Sequence, residues 1–203
     1  HAAGGQPAAH ELVADVTQWR VVARESGPND YYAIVRDPVM PFLRARYEPP
    51  WATTVLGFAV PDALRSKVRQ VRWKWRAITL PLGGDECTKG RGDSAAVVYV
   101  TWKRGIRWYT LKYVWSAVAP LGAVCDRKRN LFVAQDTVIL ETGGPLGAWR
   151  SEEIDLPAQF RQHFEGGRAD AAMPDFLGLG IMTDGDQTRS ESAADYAQFA
   201  LAW

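Results

Sequence analysis

In "QVRWKWRAIT", residues 70–79, large apolar and basic side chains alternate. Alternation with a period of two places successive side chains on opposite faces of an extended strand. The apolar set is Val71, Trp73, Trp75 and Ala77, and the basic set is Arg72, Lys74 and Arg76. This pattern predicts a β-strand with one face in a hydrophobic core and the other face at the surface.

Similar extended segments, separated by Gly, Pro and Asp, recur along the chain. We predict strands near 19–24, 31–36, 42–47, 53–60, 70–79, 95–102, 106–115, 131–141, 176–183 and 194–202. Two short connector helices are expected at "PDALRSKV" (61–68) and "PAQFRQHF" (157–164). Few helices leave no crossovers for a parallel sheet, so the prediction is an all-β, jelly-roll antiparallel β-sandwich over residues 16–203, preceded by a flexible segment at 1–15.

The chain has 203 residues, which suits one domain, and no apolar run approaches the roughly 20 residues that cross a bilayer. Its net charge of +1 hides a division: residues 62–130 carry +10 and residues 131–203 carry −8. The basic third could attract an anionic partner, or the two parts could neutralise each other within the fold. The balanced total and the lack of a nucleic-acid-binding motif argue against nucleic acid.

Cys87 and Cys125 are the only cysteines, and both lie in polar stretches. Two such cysteines are compatible with one disulfide in an oxidising compartment, and two free thiols are the alternative. The Ala- and Gly-rich start, "HAAGGQPAAHELV", resembles the region that follows a removed secretion signal. Together these features predict a periplasmic or secreted protein.

Several stretches in a fixed order resemble the bacterial exported proteins of domain of unknown function 3047. They are "VRWKWRAITLPLGGDE", "AAVVYVTW", "LKYVWS", "GAWRSEEIDLPAQFRQHFEG" and "FLGLGIMTDGDQTRSESAADYAQFAL", and the similarity spans residues 19–202. That family in turn resembles the galactose-binding-like jelly rolls that serve as carbohydrate-binding modules. The resemblance implies a jelly roll and points to a glycan or another cell-envelope ligand.

Nine tryptophans provide candidate platforms for sugar rings, because an aromatic ring with a polar rim stacks on the C–H face of a sugar. Most of these rings are expected to fill the core. The basic row at 72–76, continued by Lys112 on a neighbouring strand, could bind an anionic polysaccharide or simply face solvent. The candidate ligand-binding residues are Arg72, Lys74, Arg76, Trp108, Lys112, Tyr113 and Trp115.

The segment "DGDQT", residues 184–188, admits three interpretations. Asp184 and Asp186 could ligate calcium, although the EF-hand spacing is missing. Catalysis of glycoside hydrolysis needs two carboxylates roughly 5–10 Å apart, for which Asp85, Asp93, Asp184 and Asp186 are the candidates. The favoured interpretation is a turn in which the acids cap backbone N–H groups. We expect no cofactor, with calcium as the alternative.

His1 admits a further metal, because an N-terminal histidine can chelate copper through its amine and ring, with His10 or His163 completing the site. The following residues, "AAGGQPAA", would support such a ligand poorly.

The leading functional hypothesis is therefore non-catalytic binding of a glycan or another envelope ligand. The alternatives are a hydrolase or lyase that uses the acids above with Tyr113 or Lys112, and an envelope scaffold whose basic third binds a partner protein.

Overall fold

A computed structural model describes residues 10–24 and 31–203. The chain forms two stacked β-sheets, as the alternation at 70–79 predicts. The strands are β1 (Glu11–Val13), β2 (Arg20–Arg24), β3 (Tyr32–Val35), β4 (Phe42–Tyr47), β5 (Thr54–Ala59), β6 (Gln70–Thr79), β7 (Ala96–Arg104), β8 (Arg107–Ser116), β9 (Val124–Arg129), β10 (Val133–Thr142), β11 (Arg150–Asp155), β12 (Asp175–Met182) and β13 (Ser192–Ala202). The jelly-roll β-sandwich is confirmed.

One sheet has the strand order β11-β6-β13-β4-β3, with β1 also paired to β13, and the other has the order β2-β5-β12-β7-β8-β10-β9. All neighbouring strands are antiparallel except β8 and β10, which run parallel. The reason is that β9 takes the sheet edge, so β10 returns between β9 and β8. The expectation of a purely antiparallel sandwich is corrected at this pair.

The two expected connector helices differ in outcome. Asp155 caps the first turn of α1 (Leu156–Phe164) by accepting a hydrogen bond from the Ala158 N–H, and Pro157 suits this first turn. The segment at 61–68 forms only a three-residue 3₁₀ helix, Asp62–Leu64.

Of the expected flexible segment at 1–15, residues 1–9 lie outside the described part of the chain, whereas Glu11–Val13 pair with β13.

The core between the sheets is rich in aromatic rings. Trp75 of β6 packs on Trp115 of β8 at 5.9 Å between ring centroids, and Trp73 packs on Tyr113 at 6.1 Å, so both contacts join the two sheets. Phe160 of α1 closes one end of the core. Most tryptophans are thus core residues, because burying these large rings supplies much of the stabilisation of a sandwich.

Ion pairs join the basic part of the chain to its acidic part. Arg76 pairs with Asp195 at 2.7 Å, and corresponding pairs link Arg104 to Glu165 and Arg129 to Asp136. The opposite charges of residues 62–130 and 131–203 therefore meet within the fold. No helix in the described part of the chain is long and apolar enough to span a membrane.

Candidate functional site

The outer face of the seven-stranded sheet carries a cleft. Its floor follows directly from alternation, because the inward neighbours of the floor residues form the core. Tyr99 of β7 lies directly opposite Lys112 of β8, and Thr101 lies opposite Thr110, with their hydroxyls 3.4 Å apart. Gln135 of β10 continues the row beyond Thr110. These side chains are half-buried and point away from the core.

Two glycines of β12 keep the cleft open. Gly180 lies opposite Tyr99, and a Cβ at this position would come within 3.2 Å of the Tyr99 ring. Gly178 lies opposite Thr101, and a Cβ there would come within 2.7 Å of the Phe58 carbonyl oxygen. Larger residues would thus fill the floor or push the strands apart.

The connection between β8 and β9 covers one end of the same face. Ala119 from this connection packs on Val97, Val114, Ile139 and Met182, which are buried although they point away from the main core. This small second core forms a wall at one end of the face. Two adjoining pockets occupy the rest of the face, and we call them the apolar half and the polar half of the cleft.

The apolar half has a volume of about 640 Å³. Its lining includes Phe58, Tyr99, Thr101, Trp108 and the two glycines. Trp108 is 43% exposed, and the ammonium group of Lys103 lies 4.6 Å from its ring centroid. An exposed aromatic ring beside small hydroxyl residues is well suited to stack on a sugar.

The polar half has a volume of about 720 Å³, and it shares Tyr99 and Gln135 with the apolar half. Three lysines and two acids line it: Lys89, Lys112, Lys128, Glu86 and Asp126. None of these lysines lies within ion-pair distance of a carboxylate among the described residues. Their N–H donors are thus available to a ligand.

A disulfide joins the two segments that bound the polar half. Cys87 lies in the loop after β6 and Cys125 lies in β9, with their Cα atoms 5.3 Å apart. The predicted pairing of these cysteines is present. Each of them adjoins an acid of the cleft, since Glu86 precedes Cys87 and Asp126 follows Cys125.

Glu86 is the most unusual acid of the cleft. It is 7% exposed, and neither carboxylate oxygen makes a hydrogen bond of normal geometry with a described residue. Burial raises the pKa of Glu86 to about 7, and the nearby Ser116 hydroxyl and Lys112 ammonium lower it only in part. Glu86 can therefore both donate and accept a proton near neutral pH.

Lys112 lies close enough to several acids for their charges to shift its pKa. Burial lowers its pKa, but Tyr99, Asp184 and Glu86 raise it by more, so the ammonium form is favoured. Burial also raises the pKa of Asp184 to about 7, with a further contribution from Asp93 and an opposing one from Lys112.

Two of the predicted ligand-binding residues lie on this outer face. Trp108 lines the apolar half of the cleft, and Lys112 lines the polar half.

The predicted basic row lies on the opposite sheet, so its continuation by Lys112 is corrected. Arg72 pairs with Glu11, and Arg76 pairs with the buried Asp195 and packs on Trp149 at 4.4 Å. Lys74 and Arg72 line a pocket of only about 140 Å³. Two of the three basic side chains are therefore committed to contacts within the protein.

Tyr113 and Trp115 are also corrected as candidate ligand contacts. They are 0% and 1% exposed, because the strand turns this face of β8 towards the other sheet. The Tyr113 hydroxyl donates to Gln159 of α1, and the Trp115 N–H donates to the Gly143 carbonyl. Both rings belong to the core.

Three of the predicted acids come together at one end of the sandwich. Carboxylate oxygens of Asp93, Asp184 and Asp186 lie within 4.8 Å of one another. However, Asp93 accepts hydrogen bonds from the Gln187 and Thr188 N–H groups and the Thr188 hydroxyl, and Asp184 accepts one from the Ser94 N–H. Residues 186–189 form a turn, and these hydrogen bonds join the turn to the loop just before β7.

The remaining candidates lie apart from the cleft chemistry. Asp85 accepts hydrogen bonds from the Cys87 N–H and the Thr88 hydroxyl, so it caps its own loop. His1, the proposed copper ligand, lies outside the described residues. His10 packs against Trp203, whereas His163 lies 2.8 Å from Asp136.

Sequence reasoning missed several residues that line the cleft, namely Glu86, Tyr99, Asp126, Gln135, Gly178 and Gly180. Alternation in β7 could have placed Tyr99 on the outer face. For Glu86 and Asp126, the available signal was that each adjoins a cysteine.

The fold and the cleft define a class of protein, the two-sheet jelly rolls with an open cleft on one sheet. More narrowly, a family model described as "Protein of unknown function (DUF3047)" matches residues 17–200, and the chain belongs to this family. No curated protein matches the chain.

Solved structures share the fold at low sequence identity. The xyloglucanase domain of NopAA, a type three effector from Sinorhizobium fredii solved in complex with cellobiose, has a TM-score of 0.52 at 8% identity, over 91% of this chain and 92% of that chain. The family 11 carbohydrate-binding module of a cellulosomal cellulase of Clostridium thermocellum has a TM-score of 0.49 at 10% identity, over 96% and 95% of the two chains. Trichoderma harzianum endoglucanase 3 has a TM-score of 0.43 at 10% identity, over 98% and 99%.

Proposed function

We propose that this protein binds a glycan in the cleft on the outer face of its seven-stranded sheet. The observation that carries the proposal is the pairing of an exposed ring, Trp108, with a polar half that offers both donors and acceptors in the same cleft. A sugar presents apolar C–H faces and hydroxyl groups together, so its recognition needs both kinds of surface.

The shape of the cleft supports an extended ligand. The two halves lie side by side and share Tyr99 and Gln135, so a chain of sugars could contact Trp108 at one end and Lys112 at the other. Thr101 and Thr110 lie between these ends and offer hydroxyls to sugar hydroxyl groups. The glycine floor leaves room for flat rings.

The likeness to the xyloglucanase domain supports the proposal only through the fold, because a fold by itself does not define a function. That domain was solved with cellobiose, which indicates that a sandwich of this kind can hold a glycan. The Cys87–Cys125 disulfide favours an oxidising compartment, which supports a periplasmic or secreted location and an envelope or extracellular glycan as ligand.

The test is to measure binding of the full chain to a panel of soluble neutral β-glucans, mannan, xylan and uronate polysaccharides by affinity electrophoresis and calorimetry. We expect saturable binding to at least one glycan and a loss of affinity of about 5- to 30-fold in Trp108→Ala, because stacking on one ring contributes on the order of 1–2 kcal/mol.

Trp149→Ala is the matched control, because Trp149 packs on Arg76 on the opposite sheet. It should leave the affinity unchanged. The proposal fails if no glycan of the panel binds, or if Trp108→Ala and Trp149→Ala bind as tightly as the wild type does.

A further inference from the structure

Glu86 is poorly partnered for a buried carboxyl group, although the Ser116 hydroxyl and the Lys112 ammonium lie nearby. Both of its oxygens are buried without a hydrogen bond of normal geometry to a described residue, yet the residue lines the polar half of the cleft. Burial of an unsatisfied carboxyl group costs free energy, so such a group calls for an explanation. A ligand bound in the cleft that Glu86 lines would supply a further partner of normal geometry.

Asp126 brings a second carboxyl group to the same cavity. It is exposed and has a φ of 49°, a left-handed conformation that asparagine and aspartate adopt more readily than most residues do. Here Asp126 and Arg127 of β9 lie opposite the single residue Asp136 of β10, which is a β-bulge. Bulges of this kind redirect a side chain next to functional sites.

The disulfide limits the distance between the two acids. Glu86 and Asp126 are the chain neighbours of Cys87 and Cys125, whose Cα atoms are 5.3 Å apart. Consecutive Cα atoms are 3.80 Å apart, so the Cα atoms of Glu86 and Asp126 are separated by at most about 13 Å. Two carboxyl groups that face one cavity within this limit can reach the roughly 5–10 Å separation used in glycoside hydrolysis.

Glu86 and Asp126 differ in burial, as the two carboxyl groups of a glycoside hydrolase often do. Glu86 is buried, and burial raises its pKa to about 7, whereas Asp126 is exposed to solvent. A buried acid that keeps its proton beside an exposed carboxylate is the division between a proton donor and its partner in glycoside hydrolysis.

We propose that the polar half of the cleft is the catalytic site of a glycoside hydrolase, with Glu86 as the general acid and Asp126 as the general base. The proposal rests on the proposed function, because the glycan must lie in the cleft for its glycosidic bond to reach these residues.

In the proposed step, the bond between the anomeric carbon and the glycosidic oxygen breaks, and Glu86 transfers its proton to the leaving oxygen. A water molecule attacks the anomeric carbon, and its proton passes to Asp126. One water is consumed for each bond broken, and transfer of a proton from Asp126 to Glu86 through solvent restores the starting state. Lys112, beside both acids, offsets their charge.

The test uses the full chain with its disulfide intact and the glycans that bind in the assay above. Release of new reducing ends and of shorter oligosaccharides is followed by chromatography. We expect turnover by the wild type and a loss of at least 100-fold in kcat for Glu86→Gln and for Asp126→Asn, since general acid–base catalysis contributes about 10²–10⁴-fold. Affinity for the glycan should change by less than tenfold in both variants.

Glu191→Gln is the matched control, because Glu191 is exposed and does not line the cleft. It should retain wild-type turnover. Thermal unfolding of each variant shows whether the fold is intact, and Asp126→Asn at the exposed position keeps the test meaningful if Glu86→Gln fails to fold.

Glycan binding that depends on Trp108 without any product from the wild type overturns the catalytic proposal and leaves the binding function standing. Wild-type turnover in Glu86→Gln or Asp126→Asn also overturns it. A chain that binds no glycan contradicts both proposals.

Discussion

The carboxylate of Asp93 accepts hydrogen bonds from both the backbone N–H and the hydroxyl of Thr188, at 2.6 and 2.7 Å. Asp93 is fully buried, and Thr188 belongs to the turn that follows β12. This double contact joins two loops that are 95 residues apart in the chain. These contacts agree with the interpretation of the acid-rich segment at 184–188 as a turn tied to the rest of the fold.

We expect Asp93→Ala to lower the free energy of unfolding by about 2–4 kcal/mol, because it leaves two partly buried N–H groups and one hydroxyl without their acceptor. Urea denaturation measures this. Asp186→Asn should be neutral or stabilising, since partial burial and the neighbouring Asp93 raise the pKa of Asp186 and so disfavour its charged form. A cost below about 0.5 kcal/mol for Asp93→Ala would show that the tie contributes little.

A second prediction concerns Asp195, which is fully buried and binds two arginines. Arg44 donates from two nitrogens, at 2.8 and 2.9 Å, and Arg76 donates at 2.7 Å. Asp195→Ala should cost about 3–5 kcal/mol, because both guanidinium groups lose their partner. Asp62 pairs with Arg65, but its side chain is 93% exposed, so Asp62→Ala should cost less than about 1 kcal/mol. Urea denaturation measures both variants.

A third prediction is that stability falls as the pH rises. The folded-state pKa of Glu86, about 7, lies above its ordinary value of 4.5, so the folded state binds the proton more tightly. This contribution is complete below pH 4.5 and is lost as the pH rises through 7. Glu86→Gln should therefore gain up to about 3 kcal/mol relative to the wild type between pH 4 and pH 8.

The measurement is urea denaturation of both proteins across this pH range. Asp184 and Glu152, whose pKa values burial raises to about 7 and about 8, add a similar decline that is common to both proteins. A constant difference between Glu86→Gln and the wild type at all pH values would refute the assignment of a raised pKa to Glu86.

A fourth prediction concerns the disulfide. Cys87 and Cys125 are 38 residues apart, and loss of a crosslink that closes a loop of this length costs about 4 kcal/mol in the chain-entropy model. The double variant Cys87→Ser, Cys125→Ser should have a free energy of unfolding lower by this amount in urea denaturation. The wild type in reductant should behave like the variant, and agreement of the oxidised wild type with the variant would contradict the prediction.

The sequence predicts the parts of the fold that depend on local pattern. Alternation in β6 indicates which of its faces is buried. In β8 both faces carry aromatic rings, so alternation did not show that Tyr113 and Trp115 face the core. All ten expected strands are present. The strands that were missed lack this pattern. β9 (VCDRKR) and β11 (RSEEID) are polar strands at sheet edges, where charged residues prevent pairing with other chains, and β1 has only three residues.

The site depends on contacts between distant segments, so the sequence predicts less of it. Alternation shows that Trp108 and Arg72 both point away from a core, but it does not show that they lie on opposite sheets. The burial of Glu86 has a similar origin, because it arises when its loop meets β8 and β9. Sequence pattern therefore named Trp108 and Lys112 among the candidates that the fold places in the cleft, whereas the acids that accompany them required the fold.

The uneven exposure of the tryptophans has a practical consequence. Trp108 is the most exposed of the nine, and the other eight are buried or half-buried. A quencher dissolved in water, such as acrylamide, should thus reach the indole of Trp108 first. Protection of this most accessible fraction of the intrinsic fluorescence would report occupancy of the cleft in unlabelled protein, with Trp108→Ala as the blank.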